Sequence, residues 1–310
     1  MAFPVFIING FLDSGKSSFI NDTLRNDEFY KKGNTLLLVC EEGEVEYNAQ
    51  ELSKYNVHIE TFENVEEFNA DRLYSLTEKY HPGRIVIETN TMWDNNAISF
   101  PSTFEVAQIV SFIDYTTFPV YYNNMRQKFV DNLRFADLVV INRCDDITGL
   151  SKYQTSLKMI NNNANWIAMN SKGEVQEAFE SPLPYDINQE IIKIEDCDFG
   201  RWYIDTFDHK ERYDGKKVEF NGIILKSKKL PKNAVIVGRY VMTCCANDIQ
   251  LYGHLCSSTL NVKLKSKSWI HIVAEVKYEY SKEYEEEEVV LYPISIEKIP
   301  EIKEPVLNLV

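Results

Sequence analysis

The chain opens on an apolar run, Phe3 to Asn9, that stops at a glycine-bounded loop. From Ser17 to Arg25, apolar residues fall at Phe19, Ile20 and Leu24, the spacing of one helix face. Thr35 to Cys40 and His58 to Phe62 predict two more strands, and Val65 to Tyr80 a helix that stops at His81-Pro82-Gly83. Arg84 to Thr89, Ala107 to Ile113 and Asp137 to Asn142 are nearly uniformly apolar, the pattern of parallel strands covered on both faces. Helical stretches over Thr117 to Phe135 and Ser151 to Asn161 separate or follow them. Such alternation predicts an α/β unit built on a mostly parallel sheet.

After Pro182-Leu183-Pro184 the texture changes. Asp198 to Arg212 reads as a short helix or a loop. Lys217 to Leu225, Ala234 to Thr243, Ile249 to Cys256, Trp269 to Tyr280 and Val289 to Lys298 then read as strands with little helix between them. That is the texture of a small barrel or sandwich. A boundary between Pro184 and Asp205 divides the chain into domains at 1–195 and 199–310. The acid run Glu283 to Glu288 reads as a solvated hairpin tip.

Composition narrows the classes. The 310 residues are 44% hydrophobic and 13% aromatic, enough to build cores and exclude a wholly disordered chain. No apolar run approaches the ~20 residues of a membrane helix, and no basic-then-apolar leader precedes the first strand. The expectation is a cytoplasmic protein that is not membrane-embedded. A net charge of −14 argues against nucleic acid as the main partner. The charge is uneven: residues 1–199 carry 16 Lys/Arg against 31 Asp/Glu, and residues 200–310 carry 17 against 16. The acidic first part is the one suited to attract cations. The cysteines, Cys40, Cys144, Cys197, Cys244, Cys245 and Cys256, form no even framework and read as reduced thiols.

The residues Gly10-Phe11-Leu12-Asp13-Ser14-Gly15-Lys16-Ser17 fit the GxxxxGK[ST] phosphate loop, with the strand before it and the helix after it in place. The glycines let backbone N–H groups turn around phosphates, and the helix N-terminus adds a favourable dipole. Gly10, Asp13, Ser14, Gly15, Lys16, Ser17 and Ser18 are therefore candidate nucleotide contacts. Lys16 reaches the terminal phosphates and Ser17 turns its hydroxyl oxygen to Mg²⁺. Glu88 ends a strand that an ordinary sheet order places beside Ser17, where a carboxylate holds Mg²⁺ or a Mg²⁺-bound water. Lys16 and Glu88 are the candidate catalytic residues. Asn142-Arg143-Cys144-Asp145 follows an apolar strand where a base-reading loop belongs. A carboxylate at Asp145 accepts two hydrogen bonds from guanine that adenine does not supply. A helix N-cap at Asp145 or Asp146 is the plainer reading of those acids taken alone.

Together with Glu41-Glu42-Gly43-Glu44-Val45 and Glu88-Thr89-Asn90-Thr91, these motifs resemble the CobW-like P-loop GTPases, relatives of UreG and HypB, over residues 3 to 170. The resemblance implies slow, Mg²⁺-dependent GTP hydrolysis to GDP, coupled to metal delivery or cobalamin-related cofactor maturation. It also implies that Glu41 and Glu44 belong to a switch that senses nucleotide and helps bind a transition metal. The sequence departs from the family pattern in several places. The family's CxCC motif belongs near Val57 to Asn69, where this chain has no cysteine. Asp13 and Thr91 stand where the family carries glycine, and the family's own C-terminal domain is absent.

In the second part, Gly238 to Asp248 and Trp269 to Val273 are similar to the C-terminal domain of a two-subunit permease family, which implies an OB-like barrel over about residues 199 to 310. Cys244, Cys245, Asp248, His254 and Cys256 supply thiol, carboxylate and imidazole groups suited to Zn²⁺ or another transition metal, or to thiol chemistry. Two small buried residues in a barrel wall read the cysteine pair equally well.

The expected function is a GTP-binding, slowly hydrolysing protein that handles a metal or metallocofactor. Its expected partners are guanine nucleotide, a metal-receiving client protein or permease subunit, and a second copy in a homodimer. A non-enzymatic, nucleotide-dependent transporter accessory is the alternative. An oligonucleotide-binding barrel, using Tyr240, Trp269 and the lysines Lys226, Lys228, Lys229 and Lys232, is the third reading.

Overall fold

A computed structural model describes residues 2–31, 33–94, 97–176, 182–231, 233–244, 247–257, 265–281 and 285–308. The chain separates into two compact units, Met1–Ser151 with Asn163–Glu180, and Lys152–Asn162 with Ser181–Val310.

In the first unit, β1 (Phe3–Gly10) leads through the loop into α1 (Lys16–Arg25) and the short α2 (Asp27–Tyr30). There follow β2 (Thr35–Val39), α3 (Ala49–Leu52), β3 (Val57–Thr61), α4 (Ala70–Tyr80) and β4 (Arg84–Glu88). Next come β5 (Phe104–Asp114), α5 (Phe118–Asn124), α6 (Arg126–Leu133), β6 (Leu138–Asn142) and α7 (Ile147–Ser151). After α8 (Gln154–Ile160), the sheet is completed by β7 (Asn165–Met169) and β8 (Val175–Gln176). The strand order is β3-β2-β4-β1-β5-β6-β7-β8, parallel except for β8. Every residue of β2 and β4 is buried, as their unbroken apolar runs require. The chain leaves β1 toward β2 on one side and reaches β5 on the other, so the crevice at the strand C-termini opens beside β1.

Three helical expectations are revised. The stretch from Val65 begins as one 3₁₀ turn and breaks before α4, where Asn69 caps the helix by accepting from the Arg72 N–H. The stretch from Thr117 divides at Met125, whose φ of −130° and ψ of 40° leave the helical region and end α5. The stretch from Ser151 becomes α8, which lies in the second unit, where Met159 packs with Ile204 and Val241.

The second unit has β9 (Ile191–Lys193), α9 (Phe199–Asp208) and α10 (Lys210–Tyr213) ahead of its main strands. These are β10 (Lys217–Leu225), β11 (Ala234–Met242), β12 (Ile249–Ser257), β13 (Trp269–Ser281) and β14 (Glu286–Lys298), followed by β15 (Val306–Asn308). The order β10-β11-β12-β14-β13 closes on itself through the β10–β13 pairing, giving a five-stranded barrel with β9 and β15 at its edges. Phe199 and Trp202 of α9 pack with Phe220, Ile270 and Ile272 in the barrel core. Strands β11 and β12 approach so closely at Gly238 that a Cβ there would sit 1.9 Å from the Tyr252 carbonyl oxygen. The acid run sits at the end of the β13–β14 hairpin, with exposed Glu285 in the turn and Glu286 to Glu288 opening β14, while Glu283 lies outside the described residues.

Candidate functional site

The phosphate loop leaves β1 at Gly10 and enters α1 at Lys16. Gly15 has a φ of +107°, and a Cβ there would lie 2.4 Å from the Asn142 side-chain nitrogen, so glycine is required by both backbone and space. Asn142 donates from that nitrogen to the Ser14 carbonyl at 3.1 Å, tying the end of β6 to the loop. Phe11 anchors the loop from below, stacked on Tyr121 with ring centroids 4.1 Å apart.

Lys16 is 2% exposed, and its ammonium donates to the Gly10 and Phe11 carbonyls at 2.7 and 3.0 Å and to Glu41 Oε2 at 2.6 Å. A carboxylate from the segment after β2 thus sits on the cation that the motif reserves for a phosphate oxygen. Ser17 Oγ donates to Glu88 Oε1 at 2.6 Å, so the expected Ser17–Glu88 pair is formed. Tyr47 donates its hydroxyl to the other oxygen, Glu88 Oε2, also at 2.6 Å. Burial raises the Glu88 pKa above the ordinary carboxylate value, against the opposing pull of the Ser17 and Tyr47 hydrogen bonds and of Lys16. Asp13, at φ +60°, is exposed at the mouth of the same cleft, which Ser18, Glu44 and Arg143 also line.

At the neighbouring strand ends, Arg143 donates from Nη1 to the Asp13 carbonyl at 2.8 Å and to Asp114 Oδ2 at 2.5 Å. Of the two acids read as a possible N-cap, Asp146 is one, accepting at Oδ1 from the Gly149 N–H at 2.9 Å, and Asp145 is not. The Asp145 carboxylate accepts from the Ser171 N–H at 3.0 Å and from the Ser171 hydroxyl, and these bonds hold its pKa below the ordinary value. Tyr47, Asp114 and Ser171 escape sequence reading. The one signal for Ser171 is the polar turn Asn170-Ser171-Lys172-Gly173 directly after a strand. Thr91, where the resemblance has glycine, donates to the Gly10 carbonyl at 2.8 Å and accepts from Asn132 at 3.2 Å.

Where the CxCC motif is missing, the chain builds an aromatic contact instead. Phe62 and Phe68, both buried, meet edge to face at 4.9 Å.

The five-residue set in the barrel does not converge. Cys245 lies outside the described residues. Cys244 donates to Asp248 Oδ2 at 3.3 Å at one end of the barrel. His254 and Cys256 are six and eight residues beyond Asp248 on β12, which at about 3.3 Å per residue places them ~20 Å or more away. His254 is buried among Trp202, Tyr203 and Phe207 and shares a hydrogen bond with Thr206 at 3.0 Å. Cys256 belongs to the apolar core, and burial pushes its thiol up to about 12. Among the described residues, no group of three or more His, Cys, Asp or Glu is placed to hold a metal ion. Trp269, only 6% exposed, is likewise not available to stack a base, and Lys232 lies outside the described residues. No helix among the described residues is long and apolar enough to cross a membrane.

A parallel sheet with a strand–loop–helix phosphate cradle at its central strand defines a P-loop nucleotide-binding protein. The CobW/HypB/UreG nucleotide-binding domain matches residues 4–168, more than half of the chain, and the protein belongs to that family. The DUF1980 C-terminal domain matches residues 169–307. The UPF0703 protein YcgQ of Bacillus subtilis (strain 168) is 28% identical over 89 residues, 29% of this chain and 31% of its own length. The chain thus spans about a third of that relative. Among solved structures, the hydrogenase maturation factor HypB from Archaeoglobus fulgidus is 20% identical, covering 55% of this chain and 82% of its own, with a TM-score of 0.39. The Zn(II)-bound YjiA GTPase from E. coli is 15% identical, covering 77% and 86%, with a TM-score of 0.40.

Proposed function

We propose that the chain binds a guanine nucleoside triphosphate with Mg²⁺ and hydrolyses it slowly in the cytoplasm. In this reading the nucleotide state is coupled to the handling of a metal ion or metallocofactor through the segment from Glu41 to Tyr47. The carrying observation is the Lys16–Glu41 ion pair at 2.6 Å, in which a carboxylate oxygen stands in for a phosphate oxygen. A triphosphate claims Lys16 and displaces Glu41. That releases an acidic segment, Glu44 included, whose charge suits a cation.

The donor set fits Mg²⁺. Ser17 and Glu88 are 2.6 Å apart, and Glu88 is a buried carboxylate with no ion-pair partner among the described residues. When bound, Mg²⁺ neutralises charge on the phosphate oxygens. Lys16 and the loop amides hold the phosphates, Glu88 accepts from the Ser17 hydroxyl and orients it, and Asp145, kept ionised by Ser171, selects guanine. Arg143 and Asn142 hold the base-reading loop against the phosphate loop.

Residues 1–195 carry the nucleotide chemistry, and the barrel in 199–310, read as OB-like, carries partner docking to a client protein or permease subunit. Thr91 favours the second reading, a nucleotide-dependent accessory without useful turnover. Its hydroxyl is fixed between Gly10 and Asn132 where a mobile glycine would sense the γ-phosphate.

Calorimetric titration with GTP and ATP, followed by phosphate release with and without Zn²⁺, tests the proposal. The expected result is GTP binding at least tenfold tighter than ATP, with slow turnover. Absence of guanine-nucleotide binding overturns the proposal, whereas binding without turnover selects the accessory reading.

A further inference from the structure

Another concavity in the first unit lies away from the phosphate loop. It is an apolar groove of about 480 Å³, with Phe6, Ile8, Val86 and Val110 of the sheet as its floor and Phe19 and Leu24 of α1 as one wall. That size falls within the range of small-molecule pockets, ~300–1,000 Å³. Gln108 and Glu28 also face it.

Arg84 is the polar group that sets this groove apart. It is the first residue of β4, at the strand end opposite the phosphate loop, and it is only 7% exposed. Its guanidinium lies over the Phe29 ring at 4.2 Å and donates from Nη2 to the Gly33 carbonyl at 3.1 Å. No carboxylate lies within ion-pair distance of it among the described residues, and the exposed Glu28 at the rim is not its partner. Burial lowers its pKa with no anion opposing the shift. A buried guanidinium without a counter-ion is costly, and its planar fork matches a carboxylate held through two oxygens.

We propose that this groove is a binding site for an amphipathic carboxylate, with an acyl or aryl body lying over Phe6, Ile8 and Val110 and its carboxylate paired to Arg84. The pairing supplies the anion that Arg84 lacks, and the body lies against the apolar lining of the groove. The site is independent of the nucleotide reading, since none of the residues lining it belongs to the phosphate loop.

The test uses the full chain titrated with decanoate and with decanol, both below their aggregation limits. Decanoate is expected to bind one to one and at least tenfold tighter than decanol. Arg84→Gln is expected to lower decanoate affinity at least tenfold while leaving decanol unchanged, and Arg84→Lys to restore part of the loss. Val110→Trp, which fills the floor, is expected to abolish binding of both. Saturable binding with no preference for decanoate overturns the proposal, as does no binding at all. Because the preference is measured on the unaltered chain, an unfolded variant does not shelter the claim. GTP titration of the same samples reports separately on the phosphate loop.

Discussion

The phosphate cleft and the cysteine-bearing barrel both carry several reactive side chains, yet those of the cleft converge and those of the barrel scatter. At the cleft, four strand ends meet, so Gly15, Asn142, Glu88 and Glu41 come together although they are far apart in sequence. In the barrel, Asp248 directly precedes β12, and His254 and Cys256 lie along it. Neighbours in sequence are thereby spread over ~20 Å of strand. Closeness along the chain gathers groups when a loop turns back on itself and separates them when the chain runs straight.

The two regions also differ in what their buried polar groups do. Those of the cleft face a space a ligand can enter, whereas in the barrel unit the buried carboxylate of Asp205 is satisfied by its protein neighbours. Asp205, fully buried, accepts from Tyr213 at 2.6 Å and from Arg212 at 2.9 and 3.2 Å. Asp205→Ala breaks this network and leaves buried donors unpaired, so a loss of about 3–5 kcal/mol in stability is expected by chemical denaturation. GTP affinity should stay within twofold, and a parallel loss would erase the distinction between the regions.

Acid should separate them next. Burial holds His254 neutral, with its pKa pulled down to about 3, so the unfolded chain takes up that proton first. Its contribution to stability is full above pH 6.5 and falls as the pH drops toward 3, by at most about 1.4 kcal/mol per pH unit. Glu88 acts with the opposite sign. Its pKa is raised in the fold, so its contribution is greatest at low pH and is lost as pH rises through the shifted value. His254→Gln should flatten the acid limb of a stability–pH curve, and an unchanged slope would refute the assignment.

Smaller effects probe the cleft itself. Asp145→Asn should cut the preference for GTP over ATP about tenfold in a competition titration, the scale of one charged hydrogen-bond pair. Glu41→Gln removes the internal competitor for Lys16 and should tighten GTP binding severalfold. Weaker binding would mean that Glu41 assists the nucleotide rather than occupying its place.

Much of this was legible in the residues. The motif from Gly10 to Ser17 is local, and its strand, turn and helix are each encoded within a few positions. The apolar runs of β2, β4 and β6 predicted a covered parallel sheet, and the strand runs from Lys217 to Lys298 predicted an all-β unit. Tyr47 and Ser171 were not legible, because each gains its role only when a distant strand end is placed beside it. The barrel's closure through β10 and β13 is equally non-local. The break at Met125 was hidden because apolar spacing continues across it while the backbone does not.

The central claim is that the turn from Gly10 to Ser17 holds the phosphate tail of a guanine nucleotide through Lys16. Calorimetric titration of GTP with Mg²⁺ into the unaltered chain and into Lys16→Ala tests it most directly. The account predicts one site per chain and at least a hundredfold weaker binding in the variant, about 2.7 kcal/mol. Equal affinity in the two proteins, with both folded, would contradict it.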